Sequence, residues 1–188
     1  DNHGKTATCT STVTVQDNTL PTAICKNATV QLDATGNVTV PTSAVDNGST
    51  DACGIAALTL SKTNFNCSNV GSLLVSLEVR DNNGNKAYCS ATLTVQDNIA
   101  PTALCKNATI QLDDAGNATL TTAAINNGSA DACGIASLSL SKTTFDCSNI
   151  GANTVALTIT DNNGKTATCS ATVTVQDNSF PTITCPTS

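Results

Sequence analysis

Apolar and polar residues alternate along two neighbouring segments near the end of the chain. The apolar positions of the second segment are Ala167, Cys169, Ala171, Val173 and Val175. Ser and Thr residues fill the positions between them. A period of two with one apolar face predicts a half-buried β-strand. Residues 155–160 alternate in the same way, and the turn sequence DNNGK joins the two segments, so the pattern predicts an antiparallel hairpin.

Shorter alternating segments precede this hairpin. PTALCKNATIQL, ATLTTAAI and IASLSLSK read as strands, and DDAGN and NNGSADACG between them are rich in turn residues. Cys105 and Ile110 fall on opposite parity, so the first of these strands is expected to bend near Lys106 and Asn107. Short strands at close intervals predict an all-β sandwich.

The whole pattern recurs every 80 residues. TVTVQDN at 12–18 returns as TLTVQDN at 92–98 and as TVTVQDN at 172–178. Residues 1–80 align with the next 80 without a gap and are identical at 48 positions, so the chain is a tandem array. The expected modules are 19–98 and 99–178, with 1–18 as the last strands of a preceding module and 179–188 as the first strand of a following one.

Composition excludes several functional classes. The net charge is −6 and the 8 basic residues are scattered, which disfavours nucleic acid as a partner. The sequence has no apolar run long enough for a membrane span, so no membrane insertion is expected for this fragment. His3 is the one histidine, its counterparts are Asn83 and Asn163, and no catalytic motif is present. An enzyme is therefore not expected.

The ten cysteines always occupy the same four places in the period. Ten cysteines in a chain of this size predict an oxidising compartment, and hence a secreted or cell-surface location. Structural zinc is disfavoured because the sequence has no C-x-x-C pair and only one histidine.

Several motifs resemble a known repeat family. DNNGKTATCSATVTVQDN followed by PTITCP is similar to the end and restart of hyalin-type repeats, the HYR and HYR-like modules. DNGSTDACGI and FDCSNIG resemble the HYR-like repeats of giant bacterial surface proteins. The resemblance implies tandem immunoglobulin-like β-sandwich modules, each stapled by two disulfides, on large secreted or surface proteins. It says little about binding activity.

Two disulfide schemes are compatible with the sequence. The favoured scheme ties the first strand of each sandwich to its last, which the resemblance also implies. Its pairs are Cys25–Cys89, Cys53–Cys67, Cys105–Cys169 and Cys133–Cys147, with Cys9 and Cys185 pairing outside the fragment. The alternative pairs are Cys9–Cys25, Cys89–Cys105 and Cys169–Cys185. The alternative requires each VQDN segment to reverse as a hairpin, whereas the favoured scheme makes it a joint between modules.

The joint is also a candidate calcium site. In an immunoglobulin-like module, the loops INNGSADACG and TDNNGK lie at the end that faces the preceding module. Asp97, Asp131 and Asp161 are therefore expected to converge there with backbone carbonyls as calcium ligands. The matching set one module earlier is Asp17, Asp51 and Asp81. VQDN-x-x-Pro is similar to the cadherin linker, whose calcium rigidifies the joint, but the Glu motifs of cadherin sites are absent, and Asp residues also cap turns.

The seven Asn-x-Ser/Thr sequences are candidate glycosylation sites. They lie at Asn27, Asn37, Asn47, Asn66, Asn107, Asn117 and Asn127.

Two functions remain open. The first is a non-enzymatic structural repeat of an extracellular filament or stalk, whose partners are neighbouring modules and other copies in a fibre. Each module would add roughly 35 Å to its length. The second is a multivalent adhesin that binds a surface or glycan ligand. Neither requires a cofactor, and Ca²⁺ is the candidate ion.

Overall fold

The computed structural model describes residues 2–180, which divide into two compact units. Unit 1 holds residues 2–28, 40–63 and 72–93. Unit 2 holds residues 29–39 and 64–71 together with the chain from 94 onward. Unit 2 therefore combines two short segments of the first repeat with the whole of the second.

The chain is all-β and contains the same six-strand pattern twice. The strands of the first repeat are β1 Ala28–Gln31, β2 Asn37–Thr39, β3 Ile55–Leu60, β4 Asn64–Asn66, β5 Gly71–Asp81 and β6 Lys86–Gln96. Those of the second are β7 Ala108–Gln111, β8 Asn117–Thr119, β9 Ile135–Leu140, β10 Thr144–Asp146, β11 Gly151–Asp161 and β12 Thr166–Gln176. Short helical turns lie at Thr42–Ala44, Cys67–Asn69, Thr122–Ile125 (α1) and Cys147–Asn149.

The second repeat contains a four-stranded sheet of order β7-β12-β11-β9 and a two-stranded sheet of β10 and β8. The predicted hairpin is confirmed, because β11 and β12 pair antiparallel with Leu157 opposite Cys169. The first segment, for which the parity predicted a bend near Lys106 and Asn107, changes partner at that place. Thr102 and Cys105 bridge to the segment before β9, whereas β7 pairs parallel with β12. The predicted fold class is correct: the alternation predicted an all-β sandwich, and the resemblance implied immunoglobulin-like modules in tandem.

One apolar cluster fills the second repeat, and it takes alternate residues from the long strands. Its buried members are Leu112, Leu120, Ile125, Phe145, Val155, Leu157, Ile159, Ala171, Val173 and Val175. Burial of each large side chain contributes about 1.5–3 kcal/mol. The positions between them on β12 are Ser and Thr, most of them exposed, so the period of two is the period of the core.

The segment ATLTTAAI departs from the predicted strand. β8 ends at Thr119, and Thr122–Ile125 form a single helical turn in which the Asn126 N–H donates to the Thr122 carbonyl at 2.9 Å. Ile125 at its end is fully buried. The turn brings Ile125 to the core, a position that alternation along a strand does not predict.

Residues 12–18 repeat the sequence at the end of β12 but belong to none of the sheets of the two described repeats. Val173 and Val175 lie in β12 and are buried, whereas Val13 and Val15 are 82% and 92% exposed. Residues 5–21 contain no strand. β12 is bonded to β11 on one side and β7 on the other. The strand state therefore depends on pairing and not on the local sequence alone.

Two long disulfides join the first segment of each repeat to its last strand. Cys25 bonds to Cys89 and Cys105 to Cys169, each with 5.8 Å between Cα atoms. These are the long pairs that the sequence favoured. They exclude the hairpin scheme, because Cys9–Cys25, Cys89–Cys105 and Cys169–Cys185 each require a cysteine that is already bonded. Cys9 is a free, exposed thiol, and Cys185 lies outside the described residues.

Carboxylates organise several turns of both repeats. Oδ1 of Asp81 accepts from the backbone N–H groups of Asn83 and Asn85, and Oδ2 accepts from the Asn85 side chain at 2.8 Å. Burial raises the pKa of Asp81, but these hydrogen bonds outweigh burial and hold the pKa below its ordinary value. The pKa of Asp33 is also lowered, first by the hydrogen bond from the Thr35 hydroxyl. The folded state therefore favours the ionised form of both groups.

Acid is expected to destabilise the protein in a defined range. A carboxylate with a depressed folded pKa stabilises the fold fully above the ordinary Asp pKa of about 3.9, and this contribution is lost as pH falls through the folded pKa. Thermal melts should therefore change little between pH 7 and 5 and fall steeply below about pH 4. The variant Asp81→Asn should melt lower than the parent at pH 7 and approach it at pH 2. A constant difference between the two would contradict this role.

Candidate functional site

A third disulfide joins the first repeat to the second within unit 2. Cys67 bonds to Cys133, with 5.1 Å between Cα atoms and a sequence separation of 66. The predicted short bridges Cys53–Cys67 and Cys133–Cys147 are therefore wrong, and Cys53 and Cys147 are free, exposed thiols. The junction between the repeats is covalent.

The register of β11 explains why the short bridge does not form. Asp161, at one end of β11, pairs with Ile135, which follows Cys133 by two residues. Gly151, at the other end of β11, follows Cys147 by four residues. Asp161 lies ten positions along the strand from Gly151, which corresponds to a rise of about 33 Å. Because a disulfide needs Cα atoms within about 7 Å, Cys133 and Cys147 do not bond to each other.

The bonded Cys67 lies against a tight turn of the first repeat. Its Sγ is 3.7 Å from the carbonyl oxygen of Gly36, which is buried and has a φ of +75°. A Cβ at Gly36 would lie 2.6 Å from Cys67 Sγ and 3.3 Å from the Cβ of Ala132. The second repeat therefore packs directly on this turn.

Alanine at Gly36 is expected to cost more stability than alanine at Gly116, its counterpart in the second repeat. Both positions have a φ of +75°, so both substitutions carry the same backbone strain. At Gly116 the added Cβ meets only the free Cys147 Sγ, which can move, whereas at Gly36 the sulfur is held in the disulfide. The difference in unfolding free energy should be about 1–3 kcal/mol by urea denaturation. Equal losses would show that the junction does not constrain Cys67.

Acidic groups from three segments of unit 2 surround a cavity at this junction. The cavity has a volume of about 380 Å³, and Asp33, Asp97 and Asp131 line it. Ligand atoms of Asp97, Asp131 and Cys133 lie within 4.8 Å of one another. The sulfur of Cys133 is in the disulfide, so the carboxylates are the groups available to a hard cation.

Asp97 is the least solvated of these carboxylates. Its side chain is 6% exposed, and Oδ1 accepts from the Ile99 N–H at 3.1 Å. Oδ2 is buried without a hydrogen-bond partner. A buried carboxylate oxygen that lacks a donor is costly unless a cation compensates it. Oδ1 of Asp131 accepts a hydrogen bond from the Cys133 N–H at 2.8 Å.

The six predicted calcium ligands separate into two roles. Asp97 meets Asp131 across the junction, and Asp17 meets Asp51 in unit 1. Asp161 and Asp81 belong to neither group among the described residues. Each orders the turn between two long strands. Asp161 Oδ1 accepts from the Asn163 and Lys165 N–H groups at 2.8 Å, and its Oδ2 is buried without a hydrogen-bond partner, as that of Asp97 is.

The acidic group of unit 1 includes a free thiol. Ligand atoms of Asp17, Asp51 and Cys53 lie within 4.8 Å of one another. The hydrogen bond to Asp17 raises the pKa of the Cys53 thiol, while the Thr19 N–H and then Cys53 lower the pKa of Asp17. Oδ2 of Asp17 is buried without a partner, like that of Asp97.

Sequence reasoning missed Asp33. It lies in the turn between β1 and β2, where Oδ1 accepts from the Thr35 and Asn37 N–H groups at 2.8 and 3.1 Å. A signal was present, because an aspartate recurs at the same place of the second repeat as Asp113. An aspartate in such a turn has a sufficient local role, so its place at the cavity was not evident.

The sequence is similar to that of hyalin. The chain is 35% identical to hyalin of Strongylocentrotus purpuratus over 98% of its length, and it spans 16% of that protein. This similarity supports the resemblance to hyalin-type repeats, but it does not support the likeness to bacterial surface proteins. No protein-family model matches the chain.

Solved structures with a similar strand arrangement are distant. Human protocadherin-24 EC1-2 is 10% identical, with a TM-score of 0.44 and coverage of 86% of this chain and 100% of that one. Mouse cadherin-23 EC22-24 is 15% identical, with a TM-score of 0.43 and coverage of 84% and 67%. The fibronectin(III)-like modules of Clostridium thermocellum CbhA are 9% identical, with a TM-score of 0.32 and coverage of 86% and 96%. These TM-scores are too low to transfer function.

The candidate glycosylation residues lie at the surface of the described chain. All seven Asn residues of the candidate glycosylation sequences are exposed. Asn27 and Asn107 each use their Oδ1 to accept a backbone N–H, from Thr92 and Thr172. Glycosylation stays a prediction.

No helix in the described part of the chain is long and apolar enough to cross a membrane.

Proposed function

We propose that this chain is a non-enzymatic structural repeat of an extracellular filament or stalk. The covalent junction is the observation that supports it most directly. Cys67–Cys133 fixes the turn beside Gly36 against Ala132, so the contact between repeats does not depend on weak association. In an array each repeat contacts only its neighbours, so a covalent bond at the contact transmits force from one repeat to the next.

The rival adhesin function receives less support. One polar surface cluster lies in unit 1, where the hydroxyl of Tyr88 donates to Glu78 and Lys86 pairs with Glu78 at 2.8 Å. Threonine replaces all three in the second repeat, at positions 168, 158 and 166. Multivalent binding needs the same surface in each copy. This surface is not repeated.

Arrays of increasing repeat number test the structural function. Small-angle X-ray scattering of chains with two, three and four repeats should show a maximum dimension that rises by roughly 35 Å per repeat. The variant Cys67→Ser/Cys133→Ser is the control, and its two-repeat chain should scatter as a more flexible particle. If the maximum dimension of the parent chains grows by much less per repeat, as for flexibly linked modules, and the cysteine variant behaves in the same way, the stiff stalk is refuted.

Calcium is proposed to occupy the cavity lined by Asp33, Asp97 and Asp131. The buried Asp97 oxygen supports this, because calcium binds six to eight oxygens and favours carboxylates. Bound calcium would cross-link the turn after β1, the linker and the loop before β9. It would thereby stiffen the junction that the disulfide already closes.

Calcium is expected to raise the melting temperature and to release or absorb heat on titration. Asp33→Asn and Asp97→Asn should each weaken binding by about tenfold or more, because each removes one charged ligand. Asp113→Asn is the matched control, since Asp113 accepts the same two backbone N–H groups of its turn as Asp33 does and does not line this cavity. Equal calorimetric titrations for Asp33→Asn and Asp113→Asn would refute this site.

A further inference from the structure

The two free thiols of the sandwich modules occupy the repeat positions of the bonded pair. Cys53 is the counterpart of Cys133, and Cys147 is the counterpart of Cys67. We propose that Cys147 bonds to the Cys133 counterpart of a following repeat, and Cys53 to the Cys67 counterpart of a preceding one. Every junction of a longer array is then closed by a disulfide. This inference rests on the proposed structural function.

Cys147 has the same local contacts as Cys67, but Cys147 is exposed to solvent. Its Sγ lies 3.8 Å from the Gly116 carbonyl oxygen, as Cys67 Sγ lies 3.7 Å from that of Gly36. Asp146 caps the Cys147–Asn149 turn by accepting from the Ser148 N–H, and its counterpart Asn66 does the same for the turn that begins at Cys67.

The difference between the two sites is the neighbouring repeat. A Cβ placed at Gly36 meets Ala132 as well as Cys67, whereas one placed at Gly116 meets Cys147 alone. Cys67 is half-buried and Cys147 is exposed. The two sites therefore share their local geometry around the sulfur and differ in the contact with Ala132.

Cys53 presents the other half of the same bridge. Its N–H donates to Asp51 Oδ1 at 2.8 Å, and its carbonyl oxygen accepts from Asn82 Nδ2 at 2.8 Å. Cys133 makes the equivalent bonds to Asp131 and Asn162, at 2.8 and 2.7 Å. The loop around the free thiol thus already has the conformation that the disulfide uses, and Cys53 is exposed. Ordering the loop adds little to the cost of bond formation.

The bond forms by thiol–disulfide exchange with a small-molecule disulfide, for example oxidised glutathione. The Cys147 thiolate attacks the oxidant and releases one glutathione thiol, giving a mixed disulfide. The cysteine thiolate of the neighbouring repeat then attacks the Cys147 sulfur and releases the second. Two protein thiols lose two protons and two electrons, and one oxidised glutathione becomes two reduced molecules.

A lengthened chain tests the proposal. A second copy of residues 99–178 is inserted after position 178, so that the whole present chain is retained. After oxidation with glutathione, free thiols are alkylated and peptides are mapped without reduction. Cys147 is expected to lose its alkylation and to appear in a peptide linked to the Cys133 counterpart in the added copy. In the unextended chain Cys147 is expected to stay alkylated.

The matched variant is Cys147→Ser in the lengthened chain. It should leave the Cys133 counterpart of the added copy open to alkylation, while Cys67–Cys133 stays intact as an internal sign of correct folding. A Cys147 that remains alkylated beside an intact Cys67–Cys133 bond would overturn the proposal. If scattering still shows a constant length gain per repeat in that case, the structural function stands without the bridge. If the mapping finds the Cys147 bridge but scattering shows no constant length gain per repeat, the stalk function is refuted and the bridge stands.

Discussion

Replacing Cys105 and Cys169 together by alanine is expected to destabilise the second repeat by about 4 kcal/mol. The bridge closes a loop of 64 residues, and opening such a loop restores conformational entropy to the unfolded chain. Both cysteines must be changed, because a lone thiol would remain in a half-buried position. Urea denaturation followed by circular dichroism measures the loss.

Tyr88 supplies the control for this experiment. It is the one tyrosine of the chain and lies in the first repeat, so tyrosine fluorescence follows that repeat. For the Cys105→Ala/Cys169→Ala variant, the fluorescence transition should stay near that of the parent while the circular dichroism transition moves. The variant Cys25→Ala/Cys89→Ala opens a loop of the same length and should shift the fluorescence transition instead. A change below about 1 kcal/mol in both variants would contradict the entropic account.

Leu77→Ala is expected to cost about 2–5 kcal/mol, because Leu77 is fully buried and its truncation leaves a cavity. Leu74 lies on the same strand, β5, and is 75% exposed. Leu74→Ala should therefore change stability by less than about 0.5 kcal/mol. Both variants replace leucine by alanine on the same strand, so the difference between their stability losses reports the effect of burial. Similar losses at both positions would mean that the assignment of the strand faces is wrong.

Much of the fold was predictable because the alternation in the long strands determines which face of each strand is buried. The alternation through β12 places Val173 and Val175 on one face and threonines on the other, and a slip by one residue would expose that face. The segment that ends at Ile125 was less determined, since its apolar residues fit either a strand or a single helical turn. Packing against the core selects the turn.

The junction could be predicted only in part. The sequence indicated that Asp97 and Asp131 meet, because loop positions in an immunoglobulin-like module are known once the strands are placed. The pairing of Cys67 and Cys133 was predicted wrongly, because the favoured scheme bonded each of them within its own repeat, to Cys53 and Cys147. Within one repeat the two cysteines of the predicted short bridge are kept apart by the length of β5 or β11. The proximity of Cys67 and Cys133 arises only when both repeats are present.

The order of the three disulfides along the sequence has a consequence for damage to the backbone. The loops they close run from 25 to 89, from 67 to 133 and from 105 to 169, so each loop overlaps the next. Any single peptide bond between positions 25 and 169 therefore lies inside at least one closed loop. One proteolytic cut in this region leaves its two fragments joined through sulfur. The protein can lose continuity of its main chain there and remain one covalent molecule.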